Sequence, residues 1–135
     1  ETYAMSFEYE KITVLEEFIG KTFSKIEVGK WKDELSFHTE DKVYKFIHYQ
    51  ECSEDVSIED ICGNLEDLIN EPILMAEEYF SRANNGIYTF YKFATRKGYV
   101  TVRWYGTSNG YYSVSASFII EDSNGNILLE REPKI

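Results

Sequence analysis

Between Phe46 and Ser81 the chain contains no lysine and no arginine. The same window holds ten acids: Glu51, Glu54, Asp55, Glu59, Asp60, Glu66, Asp67, Glu71, Glu77 and Glu78. It carries the whole formal excess of −10, because the remaining fourteen acids are matched by fourteen Lys and Arg. A field of that sign repels phosphate backbones, which argues against direct binding of DNA or RNA. It attracts cations or a basic protein surface instead. The plainer reading of the same charges is a solubilising face.

Cysteine is scarce as well. Cys52 and Cys62 are too few for a disulfide framework, and no export signal opens the chain. A reducing compartment, the cytoplasm, is therefore expected, with both thiols available to a metal. No apolar run approaches the roughly 20 residues of a membrane-spanning helix. The nucleophile elbow GxSxG, the P-loop and GxGxxG are all missing, so the expectation is a protein that is not an enzyme. A thiolate at Cys52 beside His48 would sit among carboxylates, which disfavours its ionised form and its use as a nucleophile.

What the chain has in quantity is aromatic residues, 11 Tyr and 9 Phe among 135 residues, with only two prolines. That composition favours sheet, and the length suits one domain. Glu1-Thr2-Tyr3-Ala4 read as a remnant foreign to the natural chain, which is expected to start at Met5. Residues 5–135 then form a single domain without repeats. The expected fold class is α+β, mainly an antiparallel β-sheet meander with one or two short helices.

Thr13 reads as the cap of a helix through Val14–Ile19, with Glu16 as its capping-box partner and Gly20 as its stop. Alternation predicts strands over Thr22–Val28, Glu34–His38, Lys42–Tyr49 and Asp55–Ile61, then one helical turn over Leu65–Ile69. Ile73–Phe80 suits either helix or strand and is taken as strand. Ile87–Thr95, Tyr99–Tyr105 and Tyr111–Glu121 are strands separated by Lys97-Gly98 and Thr107-Ser108-Asn109-Gly110, read as hairpin turns. In the middle one Tyr99, Thr101, Arg103 and Tyr105 share a face opposite Val100, Val102 and Trp104. Asn124-Gly125 turns into a short edge over Ile127–Leu129.

Two constellations carry candidate chemistry. The first is His48-Tyr-Gln-Glu-Cys52, an imidazole at a strand end followed by a thiol in the turn. Those two, with Cys62 and Glu77 or a neighbouring carboxylate, suit a structural zinc ion. A hydrogen-bonded strand-end His beside a small buried Cys is the alternative. Around them Glu54, Asp55, Glu59, Asp60, Glu66 and Asp67 form a candidate partner-binding surface. The second is Arg96, Arg103, Trp104 and Tyr111, basic and aromatic groups suited to cradling a nucleotide signal, or else a Tyr/Trp-rich core with snorkelling cations.

The segments HYQEC, IEDICGNLEDLINEPILMAEE, YTFYKFAT-KGYVTVRWYG and SNGYYSVSASF together resemble a small domain family found in phages and prophages. The resemblance runs from about Gly20 to Phe118 and is most distinctive over Arg103–Ser113. It implies two adjacent cysteines after the His-x-Gln-x step. Ser53 stands at the second place here, which favours His48, Cys52 and a carboxylate over a two-thiolate site. The chain also resembles small type II-A anti-CRISPR proteins, which inhibit Cas9. That resemblance implies a phage-derived inhibitor that binds the Cas9–guide RNA complex through an acidic surface and blocks DNA loading. A nucleotide-binding protein and a structural phage protein are the alternatives.

Overall fold

In the computed structural model, residues 12–50, 54–108 and 113–134 are described. Ten strands lie among the described residues. They are β1 (Ile12–Val14), β2 (Lys25–Val28), β3 (Glu34–His38), β4 (Lys42–Ile47), β5 (Glu54–Cys62), β6 (Met75–Arg82), β7 (Ile87–Thr95), β8 (Gly98–Ser108), β9 (Ser117–Asp122) and β10 (Ile127–Arg131). They form two five-stranded sheets, in the orders β1-β6-β7-β8-β5 and β10-β9-β4-β3-β2. Every pairing between these strands is antiparallel.

The expected meander is therefore corrected to two stacked sheets. The predicted hairpin from β8 to its successor does not form, since β9 pairs with β4 in the other sheet. Gly106 fits that crossing: a side chain there would collide with the carbonyl of Val114, on the segment leading to β9. The helices also shrink. Among the described residues there are two 3-10 turns, Glu16–Phe18 and Leu65–Leu68. The helix proposed over Val14–Ile19 gives way to β1 and the first of these, because Leu15 N donates to the Ala76 carbonyl at 2.8 Å, beside β1's pairing with β6. Ile73–Phe80 resolves as strand, β6 running Met75–Arg82. None of the described helices is long and apolar enough to cross a membrane.

The inner faces meet in one core. Phe37 and Phe46 of the second sheet lie 4.9 Å from Phe93 and 4.1 Å from Tyr91 of the first, ring centre to ring centre. Phe18, fully buried, enters from the first 3-10 turn. It touches Phe23, Phe37, Tyr44, Phe46, Phe93 and Phe118, all with centroids between 5.0 and 5.6 Å.

β10 is an edge strand, joined to β9 by its ladder, with Leu129 packed against the core and polar links at both ends. Asp122 accepts the backbone N–H of Asn126 and of Asn124, both at 2.9 Å. The Asn126 bond, foremost, holds the Asp122 carboxyl below its ordinary range. At Glu17, burial pushes the carboxyl up, but hydrogen bonding and charge from Arg131 of β10 outweigh it, and the carboxyl lies below the usual 4.5. Both acids bind protons more tightly in the unfolded chain. Their stabilisation is thus present above the ordinary carboxylate range and is lost as pH falls through the folded values. Hydrogen-exchange protection factors of β10 should drop on acidification below about pH 4, while those of β3 and β4 persist. Unchanged β10 protection would show that these carboxylates do not anchor it.

Candidate functional site

His48 follows β4 on the inward face set by Tyr44 and Phe46, and it is buried. Its Nδ1 lies 2.9 Å from the Ser115 carbonyl. A carbonyl only accepts, so Nδ1 carries a proton. Nε2 meets the carboxylate of Glu54, the first residue of β5, whose side chain is equally enclosed. The cluster ties the end of β4 and the start of β5, which belong to different sheets, to the approach to β9.

Both ring nitrogens of His48 are thus engaged by protein groups, and the described zinc candidates lie apart. Cys62 is exposed at the far end of β5, opposite Thr101. It stands eight positions after Glu54, roughly 26 Å along a strand. Glu77 is on β6, between Val14 and Lys92, three strand positions away from β5. Cys52 lies outside the described residues. Among the described residues, no group of three or more His, Cys, Asp and Glu is placed to hold a metal ion.

The acidic window separates into buried and exposed members. Glu54 is interior, and the buried Glu78 accepts from Lys134 Nζ at 2.5 Å. Glu71 takes a bidentate pair of bonds from Arg96, at 2.8 and 2.9 Å. Asp55, Glu59 and Asp60 are exposed along β5, which is the outermost strand of its sheet. A bulge between Ile58 and Asp60 breaks the alternation, so Glu59 and Asp60 face solvent in succession. Just beyond the strand Glu66 is exposed and Asp67 half-buried, on the second 3-10 turn, whose start is capped by Asn64 accepting from Glu66 N at 2.9 Å. A groove of about 210 Å³, lined by Val28, Lys32, Ile58, Glu59, Asp60 and Ile61, runs beside this edge.

The expected nucleotide cradle is not brought together. Trp104 is fully buried in the core, whereas Arg103 points out of the opposite face, 3.0 Å from Glu59. Arg96 is beyond the end of β7, and Tyr111 lies outside the described residues. What the sequence reading missed is the company Arg103 keeps. Its guanidinium sits 5.3 Å over Tyr88, and Tyr88 packs 4.9 Å from Tyr105. Phe90 stacks on Tyr79 of β6 at 4.9 Å. The available signal was the second alternation of β7, in which Tyr88, Phe90 and Lys92 face away from Tyr91 and Phe93.

Comparison with known proteins returns one family, described as a domain of unknown function (DUF7448), which matches residues 16–118. No curated protein and no solved structure matches the chain.

Proposed function

The chain belongs to the DUF7448 family, and from that premise we propose that it is a non-catalytic binding protein that docks a Lys/Arg-rich protein surface against β5 and the turn after it. The observation that carries this reading is the set of exposed carboxylates Asp55, Glu59, Asp60 and Glu66, in a stretch to which the sequence contributes no cation between Phe46 and Ser81. Of the six expected partner-binding acids, Glu54 drops out because it is buried against His48. Asp67 stands at the margin, half-buried beside Gly98.

A partner that carries nucleic acid in a basic channel has the matching charge. A phage-derived inhibitor of a host defence nuclease, acting on the Cas9–guide RNA complex, is the specific form of the proposal. The sequence resemblance to type II-A inhibitors supports it. The acidic edge would then occupy a channel surface that DNA otherwise fills.

Pull-down with the Cas9–guide RNA complex, followed by a DNA-binding shift assay, tests it. Association that slows as salt rises is expected. Joint replacement of Asp55, Asp60 and Glu66 by Lys should weaken it at least tenfold, since reversal turns attraction into repulsion at each site. All three side chains are solvent-facing, so folding should be preserved. No association at physiological salt removes Cas9 as the partner.

A further inference from the structure

The outer faces of antiparallel sheets are ordinarily polar. In the β1-β6-β7-β8-β5 sheet the outward positions instead carry rings. The pairing registers set Tyr79, Phe90 and Arg103 in one row and Tyr88 and Tyr105 in the next. Tyr79 and Phe90 are stacked, with 11° between their planes, and Phe90 is 6.1 Å from Tyr88. The rings of Tyr79, Tyr88, Phe90 and Tyr105 therefore form one continuous, half-buried platform over three strands. At its margins Tyr99 is 67% exposed and Ile12 55%. Cross-strand ring pairs do stabilise sheets, but stabilisation alone does not require an aromatic platform on the solvent side.

The chemistry of the platform is visible in what it already holds. Arg103 lies over Tyr88 while bonded to Glu59, and Lys92 lies 5.7 Å over Tyr99. Ring faces are the negative side of an aromatic quadrupole, and a planar guanidinium stacks on them better than an ammonium. Asp60, the register partner of Arg103, and Glu77, the partner of Lys92, add full negative charges to the same sheet. A nucleic acid would meet the net charge of −10 with its own phosphates, and a second copy would bring another −10. Neither fits as well as a cationic protein segment.

We infer that the outer face of β6, β7 and β8 is an arginine-reading surface, in which guanidinium groups of a partner stack on the Tyr105 and Tyr79–Phe90 rings beside Arg103 while carboxylates of Asp60 and Glu77 balance their charge. This rests on the partner being basic and adds a second face, and a preferred residue, to the docking along β5.

Nuclear magnetic resonance titration of the whole chain with a short arginine-rich peptide, and with its lysine counterpart, is the test. Saturable shifts of the Tyr88, Phe90 and Tyr105 ring resonances are expected, stronger for arginine. Tyr105→Leu and Phe90→Leu keep apolar bulk but lose the π face, and each should weaken the arginine peptide about fivefold. Tyr105→Phe retains a ring and should bind like the unmodified protein, and spectral dispersion verifies the fold of every variant. Shifts confined to Asp55, Glu59, Asp60 and Glu66 would overturn the platform while leaving the acidic edge standing. Equal binding by Tyr105→Leu and Phe90→Leu would overturn it too, as would a preference for a single-stranded oligonucleotide or concentration-dependent dimerisation lost in Tyr105→Leu. Failure of the acidic edge itself would look different, as ring shifts that survive Lys at positions 55 and 66, neither of which belongs to the platform.

Discussion

Phe18→Ala should lower the unfolding free energy by about 3–5 kcal/mol, the range for deleting a buried ring from a close-packed core. The reason lies in where the ring stands. Phe18 comes from a three-residue 3-10 turn outside both sheets, yet its neighbours Phe37, Tyr44, Phe46 and Phe118 belong to one sheet and Phe93 to the other. Removing it opens a cavity bounded by rings anchored in strands, and those strands are tied by their ladders and cannot close over it. For a chain of this size the midpoint of thermal unfolding should fall by about 10–20 °C. Ile19→Ala, next in sequence but 40% exposed, is the control and should cost under about 1 kcal/mol. Calorimetry on the two variants decides the matter. Equal losses would show that the rings relax into the gap and that Phe18 does not join the sheets.

The strands were legible in the sequence because their alternation is local. Ile87–Thr95 was read to the residue, and the two faces of β8, Trp104 inward and Arg103 outward, followed from period two. Partnership between strands was not legible, because it is set by distant contacts. Thr107-Ser108-Asn109-Gly110 has the composition of a hairpin turn, and nothing local says that β9 will prefer β4 to β8. The helix expected from Thr13 failed for a similar reason, since the pairing of Ile12–Val14 with β6 supplies backbone bonds that outweigh a capping box.

The candidate site divides in the same way. The exposed acids of β5 could be read from charge, and the placement of His48 on the face of Tyr44 and Phe46 from strand alternation. That Glu54 turns inward, while Asp55 next to it turns out, required knowing which face of β5 meets the core. Composition placed both carboxylates in one acidic field, and the fold gives them opposite fates. The aromatic platform was hidden by the ordinary assumption that rings belong inside.

His48→Ala should be the second costly substitution, by about 3–5 kcal/mol, because it removes the imidazole that links the enclosed carboxyl of Glu54 to the Ser115 carbonyl. Glu54→Ala takes the carboxyl from Nε2 while Nδ1 keeps the Ser115 carbonyl, and should cost about 1–3 kcal/mol. Glu54→Gln behaves differently: its amide donates to a neutral Nε2 while Nδ1 keeps its bond to the Ser115 carbonyl, so the loss should stay near 1 kcal/mol. The double replacement His48→Ala/Glu54→Ala removes both polar groups together and should lose less than the two single alanine variants summed, a coupling that a double-mutant cycle measures directly. Chemical denaturation of the four variants separates two accounts of this cluster. If the pair is an interior lock between sheets, the alanine variants fall steeply, the amide variant barely moves, and His48→Ala leaves the charge-dependent docking at Asp55, Asp60 and Glu66 intact once the protein is kept folded. If His48 instead serves a ligand at the surface, its loss would be mild for stability and severe for binding. The enclosure of both side chains, and the use of both ring nitrogens by protein groups, favour the lock.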